Sequence, residues 1–157
     1  LGLSLLVVGF IDLEHHLIPD EISLLGIVLG LGLSLLPGGV TPLSSFIGGA
    51  SGALVLWAIR FLHMKIAGIE GMGLGDVKLV GMIGAFLGWE ALAPLLFMSA
   101  SLGLLIGGGV ILLKRKAART PIPFGTFLAA GAIIYIFFED EIMGILLPLL
   151  RRGCGWF

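Results

Sequence analysis

The sequence predicts an all-α protein, a polytopic membrane helical bundle of about six transmembrane helices. Three observations lead there. The 157 residues are 58% hydrophobic and only 12% charged, where a soluble domain carries about 25% charged residues. Apolar runs of helix length recur along the chain, and each is closed by glycine, proline or a cluster of charge. The 26 glycines have no collagen-like period, which leaves them to turns and to helix packing.

A membrane helix needs about 20 mostly apolar residues, within a range of roughly 17–25. Leu1–Ile11 is apolar and ends at Asp12-Leu13-Glu14-His15-His16. With no basic flank and no small-residue cleavage site it is not a signal peptide, and it reads as the tail of a span that begins upstream. Pro19 restricts Ile18 and favours a helix start. The second span is expected over about Glu21–Leu36, closed by Pro37-Gly38-Gly39, and the third over Leu43–Leu62. The fourth runs from near Asp76 to Gly88-Trp89, the fifth over Ala91–Leu113 and the sixth over Ile122–Phe138. The tail beyond Glu139 has one apolar run too short to span, and Arg151–Phe157 has no assigned role.

Basic residues orient the spans. Arg60, Lys65 and Lys78 bracket the link between spans three and four, and Lys114, Arg115, Lys116 and Arg119 fill the link between five and six. The links Pro37–Pro42 and Trp89–Pro94 contain neither Lys nor Arg. This alternation puts Asp12 and Asp76 on the same, cytoplasmic, side. Arg151 and Arg152 do not fit it. Glycines at i, i+4 (Gly26/Gly30, Gly48/Gly52, Gly84/Gly88 and Gly103/Gly107) let helices pack with backbones close together, so a tight bundle is expected.

Composition excludes several functions. The net charge of −1 is uninformative about nucleic acid, but the absence of a basic stripe leaves nothing to bind it. The single cysteine, Cys154, excludes a disulfide framework or a CxxC clip. His15, His16 and His63 lack the i, i+4 spacing of a helical zinc site. Neither metal nor cofactor is expected.

The chemistry is expected at two carboxyls. In Gly71-Met72-Gly73-Leu74-Gly75-Asp76-Val77-Lys78 an acid sits on a glycine-dense turn beside an apolar run. A carboxylate costs roughly 2.5–3.5 kcal/mol at the centre of a membrane helix and less near the interface, so Asp76 needs a reason. The glycines permit a sharp turn and the close approach of another backbone. Two aspartates hydrolyse a peptide when one, ionised, deprotonates water and the other, protonated, polarises the scissile carbonyl. Close carboxyls share one proton because like charges cannot both ionise easily. Asp12 and Asp76 suit that pairing, and from their charges alone an interfacial helix cap is the more ordinary reading of each.

Smaller readings surround this pair. Gly73 and Gly75 would leave room for an extended substrate strand. Lys78, two residues beyond Asp76, is a candidate substrate contact and could lower the acid's pKa, but the favoured reading is that it carries its charge to the interface along its apolar stem. Asp20 reads as the N-cap of the second span. Glu14, His15, His16 and Glu70 read as solvated. Lys114–Arg119 reads as a positive-inside anchor that meets anionic lipid.

Gly73-Leu74-Gly75-Asp76 is the GxGD signature of intramembrane-type aspartyl proteases, and Glu70–Leu79 as a whole resembles the type IV prepilin leader peptidases. Ile11–Asp20 is similar to that family's first aspartate block, an Asp followed by Ile-Pro and a second Asp. Ile122-Pro123-Phe124-Gly125 resembles its third recurrent patch. Presenilin-like proteases share GxGD but carry a Pro-Ala-Leu motif near the last spans, which this patch is not. The resemblance implies a membrane-embedded peptidase core over residues 1–150. Its catalytic places would fall to Asp12 and Asp76. Its partners would be the bilayer and prepilin or pseudopilin substrates, whose basic leaders are cut at the cytoplasmic face of a prokaryotic inner membrane. Many members also N-methylate the new terminus and carry an N-terminal zinc-binding cysteine region. This sequence has no such region, and methylation is not expected of it. Two other classes compete: a proton-coupled transporter, which would usually place its acids mid-span, and a non-enzymatic subunit of a pilus or secretion machine.

Overall fold

A computed structural model describes residues 1–15, 17–67, 73–114, 124–139, 141, 142 and 144. Among these residues the chain is helical and has no strand. Six helices follow in order: α1 (Gly2–His15), α2 (Asp20–Leu33), α3 (Pro42–Ala67), α4 (Leu74–Leu87), α5 (Leu92–Lys114) and α6 (Phe124–Phe137). Glu70, most of the basic stretch Lys114–Arg119, the patch Ile122-Pro123 and the tail Arg151–Phe157 lie outside the described residues.

Local chemistry explains several helix ends. Thr41 precedes Pro42, and its Oγ1 accepts the backbone N–H of Ser44 at 3.3 Å, so a hydroxyl cap and a first-turn proline start α3 together. α4 stops at Gly88, whose φ of 83° belongs to the region glycine tolerates best. Two expectations are corrected here. Asp20 is the first residue of α2, and the N-cap position is Pro19. Asp76 is the third residue of α4, and its N-cap is Gly73. Neither aspartate caps a helix with its own backbone, because the preceding glycine and proline already hold the extended cap geometry.

α4 is the centre of the fold. It packs against α3, α2 and α6, while α6 also receives α1 and α5. Residues Asp76, Val77, Leu79, Val80, Gly81, Met82, Ile83, Gly84 and Ala85 are buried on all sides of it. The neighbours reach α4 through glycine. On α2 the buried residues are Ser23, Gly26 and Gly30, where Gly26 receives the Met82 side chain and Gly30 the edge of Ala85 and Phe86. On α3, Gly48 lies directly against the carbonyl of Gly84, and Gly52 against Val80. The buried Ser45 hydroxyl donates to the Ala85 carbonyl across the same seam. Three of the expected glycine pairs are thus contacts made by or on α4. Gly103 faces the Phe127 ring.

α1 presents one buried face, Leu5, Val8, Gly9 and Asp12, at the i, i+3, i+4, i+7 spacing of a helical stripe. The helix runs on for most of a turn past Asp12, so the acid lies inside α1 and not at its exit. Of the described helices, α3 is long and apolar enough to cross a membrane. At 1.5 Å per residue its 26 residues extend about 39 Å. α2, α4 and α6 have 14 residues each, about 21 Å, against a hydrocarbon core of about 30 Å.

Candidate active site

Asp12 is held at the seam between α1 and α6. It is 5% exposed and sits in the last turn of α1, the end of a helix that disfavours an anion. The start of α6 supplies what α1 does not. The first N–H groups of a helix have no partner within it, and that of Thr126 donates to Asp12 Oδ2 at 2.7 Å. The Thr126 hydroxyl lies 3.0 Å from the same oxygen and 3.3 Å from the Gly9 carbonyl. Gly9 itself brings α1 close to α6, where a side chain would meet Ala129.

Asp76 arrives from the other side on α4. It is 7% exposed, and from the first turn its carboxylate reaches back to the backbone of Gly73 at the N-cap. This resembles half of a capping box, in which a third-position acid satisfies the N-cap N–H, and here the helix dipole favours the charge.

The two acids converge on Gly125. A methyl carbon built on this glycine would fall 2.9 Å from Asp12 Oδ2 and 3.0 Å from Asp76 Oδ1. Those oxygens are therefore no further apart than the sum of the two distances, about 5.9 Å. The same methyl would fall 2.7 Å from Ile18 Cδ1. Ile18 also fills the space beside Gly75, whose added carbon would be 2.8 Å from Ile18 Cβ. The α1–α2 turn thus lays hydrocarbon along the glycines next to both carboxyls.

The other expected site residues divide. Gly73 and Gly75 flank Asp76, with Gly75 covered by Ile18. Lys78 points to Asp20, with Nζ 2.6 Å from Oδ2 in a partly exposed pair that links α4 to α2. Its charge is engaged there instead of standing alone at an interface. Glu14 and His15 are exposed and 3.9 Å apart, as solvated side chains would be. Among the described residues no group of three or more His, Cys, Asp or Glu could hold a metal ion.

Sequence reasoning missed Thr126 and the part Gly125 plays between the acids. Their only signal was the adjoining Ile122–Gly125 patch, which marked the place without saying what it met.

Comparison with known proteins shows the family. The type IV leader peptidase family model matches residues 1–108, a stretch that holds both aspartates and stops short of Gly125. The chain belongs to the type IV leader peptidase family. It is 41% identical over 138 residues to the prepilin leader peptidase/N-methyltransferase of Aeromonas hydrophila, which covers 88% of this chain and 48% of that protein. The protein of the same description from Aeromonas salmonicida (strain A449) is 42% identical over 139 residues, 88% of this chain and 47% of its own. That from Pseudomonas putida is 36% identical over 147 residues, 94% of this chain and 51% of its own. This chain spans about half the length of these curated relatives. No solved structure matches it.

Proposed function

We propose that this chain is the catalytic core of an aspartic endopeptidase that removes the leader peptide from type IV prepilins or pseudopilins. The observation that carries this reading is the convergence of Asp12 and Asp76 on the glycine between them. Two largely buried carboxyls with oxygens no more than about 5.9 Å apart support a pair in which like charge opposes ionisation of both. The ionised one takes a proton from a water molecule as the water attacks the scissile carbonyl. The protonated one gives its hydrogen bond to the carbonyl oxygen, which gains negative charge as the tetrahedral intermediate forms. Collapse of that intermediate breaks the C–N bond, and a carboxyl proton passes to the leaving amine. The reaction uses only these two acids and water.

The reading extends to a polytopic bundle in the inner membrane of a prokaryote, with the acids at its cytoplasmic face. Large apolar side chains face outward on four helices: Leu3 and Phe10 on α1, Leu25 and Val28 on α2, Leu54 on α3, Phe97 and Leu104 on α5. So much exposed hydrocarbon suits lipid and not water. Trp57 stacks on Phe61 at 5.5 Å, and Lys65 lies 4.8 Å over the Phe61 ring near the C-terminal end of α3. Aromatic and basic residues together favour the membrane surface, and the same end of α3 leads towards Asp76. Helices shorter than the hydrocarbon core are accommodated by neighbours and by local thinning of the bilayer.

Incubation of the membrane-extracted protein with a synthetic peptide, a basic leader followed by an apolar segment, tests this reading. Wild type is expected to cut at the leader boundary, and Asp12→Asn and Asp76→Asn each to lose at least about a hundredfold in rate, the usual range for a general acid or base. Normal cleavage by either variant overturns it.

A further inference from the structure

A dyad that passes protons must keep its geometry in two protonation states, and the surroundings of Asp12 contain a device suited to that. We propose that Thr126 is the positioning residue for Asp12, holding its Oδ2 through a hydroxyl that donates or accepts as the carboxyl loses or gains its proton. The inference rests on the endopeptidase reading above.

Two donors from one residue meet one oxygen. The Thr126 N–H, fixed by the α6 backbone, approaches Oδ2 at 2.7 Å, and the hydroxyl approaches it at 3.0 Å. The N–H can only donate. The hydroxyl carries one proton and has two acceptors within reach, Oδ2 and, 3.3 Å away, the carbonyl of Gly9. While Asp12 is ionised, the hydroxyl proton points to Oδ2. Once Oδ2 is protonated, its O–H donates to Thr126 Oγ1, and the threonine proton turns to Gly9. Both acceptors belong to α1, so the switch needs no movement of α6. A hydroxyl can act in both senses because it has a donor and two acceptor lone pairs. Without it, the protonated carboxyl would lose this acceptor and the ionised one would lose one of the two donors that Thr126 supplies.

The side chain Thr126→Val keeps the shape and the backbone N–H but removes the hydroxyl, whereas Thr126→Ser restores it. In the leader-peptide assay Thr126→Val is expected to lower kcat by on the order of tenfold or more, the scale of one hydrogen bond to a charged group. KM should stay within about twofold, because the role proposed for Thr126 is to hold Asp12 and not to bind the peptide. Thr126→Ser should recover most of the wild-type kcat. A general loss of packing would lower the melting temperature and would not be repaired selectively in kcat by serine. If Thr126→Val does not fold, Thr126→Ala takes its place in the same comparison.

An unchanged kcat in the hydroxyl-free variant overturns the proposal, as does a serine variant no better than valine. Asp12→Asn run alongside separates the two levels. If it cleaves normally, the endopeptidase reading fails. If it is inactive while Thr126→Val is normal, only the assignment to Thr126 fails.

Discussion

Oδ2 of Asp12 and Oδ1 of Asp76 share one point beside Gly125, each about 3 Å from where a methyl carbon would stand. One acid comes from the last turn of α1 and the other from the first turn of α4, and the glycine that keeps the point clear belongs to a third helix.

Gly125→Ala is therefore expected to reduce leader cleavage by on the order of a hundredfold, since displacements near 1 Å in a catalytic pair carry costs of that size. It should also cost about 1–3 kcal/mol in stability by overpacking. Adding Ile18→Ala relieves the contact with Ile18 Cδ1 but leaves the methyl against both carboxyls. The double variant should regain melting temperature without regaining rate. Recovery of both would place the damage in packing alone.

The rate should depend on pH as a bell. The proposed dyad needs one proton between two carboxyls, so cleavage is expected to fall at low pH, where both are protonated, and at high pH, where both are ionised. The two limbs belong to the pair and not to either residue. A profile of kcat/KM with a single limb would count against a shared proton.

Gly48→Ala and Gly84→Ala should each destabilise the fold by about 1–3 kcal/mol or more, because the added carbon meets backbone that cannot turn aside. Gly2→Ala, with nothing within 4 Å, serves as the control and should leave the melting curve in place.

Lys78 and Asp20 form a close but partly exposed ion pair. A double-mutant cycle with Lys78→Met and Asp20→Asn should give a coupling of at most about 1 kcal/mol, declining as salt is raised. A larger, salt-independent value would mean that the pair is more deeply desolvated than its exposure indicates.

Much of this arrangement was legible in the chain itself. Apolar runs with glycine and proline breaks placed the helices to within a few residues, and the positions of Asp12 and Asp76 beside glycine and Ile-Pro marked them as unusual. What stayed hidden depends on contacts across the fold. Thr126 is 114 residues from Asp12, and a threonine near a helix start has several commonplace reasons to be there. The ends of α1 misled for a related cause. A charged residue normally closes an apolar helix, but Asp12 is satisfied by α6 and the helix continues past it. The N-cap positions expected for Asp20 and Asp76 fell instead to Pro19 and Gly73, because cap preference is a tendency of residue type, and Asp76 reaches the cap backbone from the third position.

The way α4 is enclosed has a mechanical consequence. Asp76 rides on a rod wedged among three neighbours, whereas Asp12 is fastened to α6 through Thr126. The gap between the acids is thus set by how α1 and α6 together seat against α4. Ile18 is the shim at that seat, touching the glycine beside each acid, Gly125 and Gly75.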